Sequence, residues 1–273
     1  MSEEGIGKRV EEGVTGLLKG TGGIVKGAAD VARDAVVTTV KGAGDVGGSL
    51  TDTVGKVVGG ALDAVNTVGT GLVRTLKGVV IGVVQGVGEV ATVTVGVVSD
   101  TVRAAIKGTG AVGSDASKTA AGIAEGIISA AKDTGVGLAE SAVALGRSAI
   151  GGVKEIGGDV VATASGTVSG AITGAAEVGG DVLAAVRDTA RGLVQGAGEV
   201  GADIVDVTTG AITGAVEGAK TIGIGIEDAA EAAATGAMEA AEVLGEKAVH
   251  AVTDVAASGV GGVKNILKGN SHT

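Results

Sequence analysis

The chain has 273 residues, 54 of them Gly, with no Phe, Tyr, Trp, Pro or Cys, and its apolar share of 45% comes almost wholly from Val, Ala, Ile and Leu. Without aromatic side chains the core layers must be thin, and without Cys there is neither a disulfide framework nor a thiolate metal site. A formal charge of -10, from 31 acids against 21 bases, excludes general affinity for nucleic acid, which requires basic patches that displace counterions.

Residues 1–10 read as an N-terminal lead. The start, MSEEGIGKRV, lacks the basic and then apolar order of a secretory signal, so the expected location is the cytoplasm, peripheral to a lipid or polymer surface. Residues 11–265 form one repeat region with no composition shift to divide it, and 266–273 are a polar tail.

The period of the repeat is 22 residues: KEIGGDV at 154, AEVGGDV at 176 and GEVGADI at 198 recur at that spacing. Counting blocks from residue 22, the third position reads Ile24, Val46, Val68, Val90, Val112, Thr134, Ile156, Val178, Val200, Ile222 and Leu244. Position 19 reads Val40, Leu62, Val84, Ile106, Ile128, Ile150, Ile172, Val194, Val216, Met238 and Val260. Apolar columns 3, 7, 11, 15, 19 and 22 make six steps in 22 residues, 3.67 per turn. That is the eleven-residue (hendecad) value, which keeps an apolar stripe straight along a helix or gives a slight right-handed supercoil. The predicted fold class is therefore all-α: long hendecad amphipathic helices, folded back or packed in an assembly. The alternative is a β-solenoid with 22-residue rungs. Against it, column 9 holds Asp30, Asp52, Arg74, Lys118, Glu140, Asp206 and Asp228 between aliphatic neighbours, and a buried strand face cannot alternate that way.

Within the stripe, small residues recur. Position 4 carries Gly47, Gly69, Gly157, Gly179 and Gly201, and position 21 carries Gly86, Gly108, Gly174, Gly196 and Gly218. At about 98° per residue both sets fall on or beside the apolar face, where small residues either let backbones approach closely or merely keep the face shallow. The bases gather on one flank, among them Lys77, Lys107, Lys132, Lys154, Arg187, Arg191 and Lys220, with acids such as Glu155, Glu177 and Glu199 further round. Such sorting marks either a solvated face or lateral pairing of helices, basic flank to acidic flank.

Val79–Val98 is a 20-residue apolar run whose only charge is Glu89. It is long enough to span a bilayer, yet its register matches every other block, so it reads as a richer patch of the same stripe. Each interior Gly costs a helix roughly 0.8–1 kcal/mol against Ala, on the order of 50 kcal/mol over the chain. An isolated helix cannot persist, and the stripe must be buried on lipid or against copies of itself.

Stretches such as IVKGAADVARDAVVTTVKGAGDV, AITGAAEVGGDV and TTGAITGAVEGAKTIG resemble the 11-residue repeats of the perilipins and, more distantly, of the synucleins and exchangeable apolipoproteins. The resemblance implies a chain unfolded in solution that becomes helical on lipid droplets or membranes. The acidic net charge and one-sided bases depart from synuclein-type helices.

Catalytic chemistry finds no candidate. His250 and His272 stand alone, the carboxylates form a repeating polar ladder, and GxGxxG triplets lack the strand and helix context of a dinucleotide site. The sequence thus predicts no enzyme, cofactor or metal site. It predicts a coat or scaffold whose apolar face covers a lipid or other apolar surface, or a lipid-independent self-assembling bundle, filament or sheet. The partners expected are a lipid surface, further copies in a homo-oligomer or polymer, or both.

Overall fold

The computed structural model describes residues 4–19, 23–43, 47–68, 71–90, 92–110 and 115–258. These form twelve helices: α1 (Glu4–Leu18), α2 (Ile24–Ala43), α3 (Gly47–Val68), α4 (Leu72–Val90), α5 (Val95–Gly110), α6 (Ala116–Thr134), α7 (Leu138–Glu155), α8 (Val160–Glu177), α9 (Val182–Val200), α10 (Ile204–Ile222), α11 (Ile226–Leu244) and α12 (Glu246–Ala257). No strand occurs among the described residues, so the chain is all-α and the β-solenoid alternative has no support.

The 22-residue period is one helix and its turn. In IGGDV, VGGDV and VGADI the aliphatic residue closes a helix, the Gly reverses the chain and the Asp opens the next helix. Gly201 and Gly223 are left-handed C-caps with φ of 63° and 76°, a conformation that costs a residue with a Cβ roughly 1–2 kcal/mol. The amides beyond them return to the last turn, Ala202 N–H to the Ala197 carbonyl at 2.9 Å and Ile224 N–H to that of Ala219 at 3.1 Å, the Schellman arrangement. Two residues on, Asp159, Asp181 and Asp203 are N-caps. Asp159 Oδ1 accepts from Ala162 N–H at 2.9 Å, Asp181 Oδ1 from Ala184 N–H at 3.0 Å, and Asp203 Oδ1 from Val205 N–H at 2.8 Å. Asp159→Ala is expected to lower stability by about 1 kcal/mol, read as an earlier thermal midpoint in circular dichroism.

The helices form two layers. Odd-numbered helices pack each on the next odd one, even-numbered helices likewise, and chain neighbours touch across the layers. Same-layer partners run parallel: Gly166, Gly170 and Gly174 of α8 face Ser117, Ala121 and Glu125 of α6 in ascending order. Each short turn therefore joins antiparallel helices, and the chain is a stack of helical hairpins around one continuous core of Val, Ala, Ile and Leu.

Two stretches singled out in the sequence have these places in the fold. The stretch read as a lead is largely helical, because α1 starts at Glu4 and buries Ile6 and Val10 in the core. The apolar run 79–98 is divided, α4 ending at Val90 and α5 starting at Val95. Among the described residues no helix is long and apolar enough to cross a membrane. The boundary expected at 265 lies outside the described residues.

Candidate functional site

The apolar columns take two places. Leu62, Val84, Ile106, Ile128, Ile150, Ile172 and Val194 are buried in the core, and Val216 is half-buried. Position 3 sits at helix ends: Val68, Val90, Val178, Val200 and Ile222 are half-buried and Ile156 is 38% exposed. Val46 and Val112 lie outside the described residues.

The glycines divide in the same way. Those at position 21 face a neighbouring helix of the same layer: a Cβ on Gly86 would stand 3.0 Å from the Arg33 carbonyl oxygen, on Gly174 3.0 Å from that of Glu125, and on Gly196 2.6 Å from that of Arg147. On Gly108 and Gly218 it would meet Leu62 Cδ1 at 3.2 Å and Ile172 Cδ1 at 2.7 Å. Position 4 is different. At Gly157, Gly179 and Gly201, with φ of 64°, 68° and 63°, an added Cβ meets nothing within 4 Å, so these residues turn the chain and do not bring helices together. Gly47 opens α3, and Gly69 lies outside the described residues.

The tightest contacts come from positions 13 and 17, which lie outside the apolar columns. With position 21 they give α4, α8 and α10 a ridge of glycine every fourth residue: Gly78, Gly82 and Gly86; Gly166, Gly170 and Gly174; Gly210, Gly214 and Gly218. A Cβ on Gly170 would stand 2.7 Å from the Cα and 2.8 Å from the carbonyl carbon of Ala121, and one on Gly214 2.8 Å from the same atoms of Ser165. Each ridge thus lies on the bare backbone of the preceding same-layer helix, close enough for Cα–H to carbonyl contacts.

Charges cross between the same neighbours. Arg147 Nε donates to Glu199 Oε2 at 2.7 Å, Arg191 Nη1 to Glu239 Oε2 at 3.4 Å, and Arg33 Nε stands 3.5 Å from Glu89. Lys107 pairs with Glu155, which also has Arg103 at 3.8 Å; the Lys107 partner holds the Glu155 carboxyl below its ordinary value. Arg187 and Arg191 reach the buried carboxylate of Asp188 at 3.3 and 3.2 Å. Lys132, Lys154 and Lys220 are exposed. Open pairs of this kind contribute roughly 0.2–1 kcal/mol each.

In a further cluster the base itself is enclosed. Lys77 of α4 donates to Glu125 of α6 at 2.7 Å and to Glu177 of α8, with side-chain exposures of 11% for Lys77 and 14% for Glu125. Burial acts to lower the Lys77 pKa, but the two carboxylates outweigh it and the net direction is up. Burial, more than any charge, pushes Glu125 up as well, against the pull of Lys77.

Among the described residues no three His, Cys, Asp or Glu side chains are grouped to hold a metal. His250 is on the surface of α12, 3.9 Å from Glu246, and His272 lies outside the described residues. No protein-family model matches the chain, and no curated protein matches its sequence.

Proposed function

We propose that this chain is a non-catalytic structural scaffold whose apolar helix faces are complementary to one another, the lipid-independent of the two functions expected from its sequence. In this reading the 22-residue unit is two hendecads wound as one helix and its turn, and the stripe serves as a joining face between units. The observation that carries it is the glycine ridge. A fluid surface accepts a face of any relief, whereas Gly170 and Gly214 are matched to the relief of one helix backbone.

The coat reading remains the competitor, and it requires the core to open. Ile128, Ile150 and Ile172 are among the fully buried side chains, so their stripes could reach lipid only after hairpins separate. Copies of the chain are the partners proposed here.

Circular dichroism and flotation with lipid droplets or anionic vesicles decide between the two. The scaffold reading expects full helicity and cooperative melting without lipid, and no flotation. A chain that is unfolded alone, gains helix only with droplets or vesicles and floats with them would establish the coat in its place.

A further inference from the structure

The outer side of the odd layer holds a groove of about 550 Å³ between α5, α7 and α9. Its two ends differ. Val95, Ala139 and Val143 line one, while Arg103, Arg147 and Arg191 line the other, the three arginines recurring every 44 residues, on α5, α7 and α9 in turn. From Val95 to Arg103 the groove follows eight residues of α5, a distance of about 12 Å.

The cationic end is incompletely satisfied. Glu155 serves both Arg103 and Lys107, so one carboxylate faces two cations, and Arg103 is the more distant at 3.8 Å. Arg191 already pairs with Asp188 and Glu239, and its Nε, partnerless among the described residues, is buried, so the open cation of this end is Arg103. Arg147, by contrast, is taken up by Glu199, which also lines the groove. Glu140 lies in the first turn of α7, where the helix dipole offsets its charge. At the other end Val95 is 43% exposed, an apolar side chain without cover.

We propose that this groove binds a single-chain amphiphilic anion, a fatty-acid-like carboxylate, with its head on Arg103 and its alkyl chain laid along α5 and α7 toward Val95. The volume falls within the range of small-molecule sites. A peptide is a poorer fit, because its backbone N–H and C=O groups would face Val and Ala side chains. The site stands independently of the scaffold reading.

Calorimetric titration of the full chain with sodium dodecanoate, below its micelle concentration, tests the site, with dodecanol and inorganic phosphate as comparisons. One dodecanoate per chain is expected, about tenfold or more tighter than either comparison, since hydrogen bonds to a charged group are lost with dodecanol. Arg103→Gln should weaken it about tenfold. Val95→Asp places an acid at the first position of α5, which suits the helix, and should weaken dodecanoate while circular dichroism stays unchanged. Dodecanoate binding no tighter than dodecanol, binding many per chain, or binding both folded variants as well as the parent overturns the proposal. So does an acidic amphipathic peptide that occupies the groove while dodecanoate does not.

Discussion

Replacing Gly170 by alanine is expected to destabilise the chain, although alanine is the better helix former. Propensity alone would raise stability by roughly 0.8–1 kcal/mol. The added Cβ, however, would meet the Cα and carbonyl carbon of Ala121 at 2.7 and 2.8 Å, and backbone atoms cannot swing aside as a side-chain end can. Helices α6 and α8 must separate along their length, so the net change is expected to be a loss of roughly 1–3 kcal/mol, and more for Gly170→Val. Gly59 supplies the control. It lies within α3, an added Cβ there meets nothing within 4 Å, and Gly59→Ala should raise stability by about 0.8–1 kcal/mol. Opposite shifts of the urea midpoint for the two variants are the expected result. A rise for both would mean that the even layer is not seated on its glycines.

The second large effect is expected at Lys77. Lys77→Ala leaves the Glu125 carboxylate enclosed beside Glu177 with its cation gone, and removing one partner of a largely buried pair should cost roughly 2–4 kcal/mol at neutral pH. The pH dependence has a definite sign. Lys77 titrates above its ordinary value in the folded chain; its contribution is present below the unfolded value and is lost as pH rises through the folded one. Glu125 is also raised, so its contribution is present in acid and is lost as pH rises through its folded value. Acid should therefore narrow the gap between Lys77→Ala and the parent, and adding Glu125→Gln should narrow it at neutral pH. Thermal midpoints measured across the carboxylate range check both expectations. A gap that widens in acid would contradict the assignment of the loss to a stranded carboxylate.

The helical class was legible in the sequence, because the charged residues of column 9 deny a strand any buried face. The turns were not. From α6 to α10 each helix and its turn total 22 residues, so Val178, Gly179, Gly180 and Asp181 continue the phase of the columns on either side and show no gap in periodicity. The signal lay instead in the order of residue types: an aliphatic, a Gly able to take φ of 68°, then an Asp whose side chain accepts from the third amide of the next helix. Read as stop and start, that order separates Gly179 from Gly174, which the column count grouped on one face. The flank of bases was visible too, but not which acid each would meet. Arg147 and Glu199 lie 52 residues apart, a pairing set by the alternation of layers, which periodicity alone does not contain. Lys77 could not be singled out, because its enclosure depends on helices 48 and 100 residues further on.

That alternation also sets the increment by which such a chain can grow or shrink. Removing 44 residues takes one helix from each layer and returns every remaining helix to its own side. Removing 22 sends all later helices across, so that the ridge of α8 would be asked to sit on a helix whose facing row was shaped for the other layer. Gene segments encoding one hairpin are therefore exchangeable, while half-segments are not. A family of such proteins would be expected to differ in length by whole hairpins, as links are added to a chain in pairs.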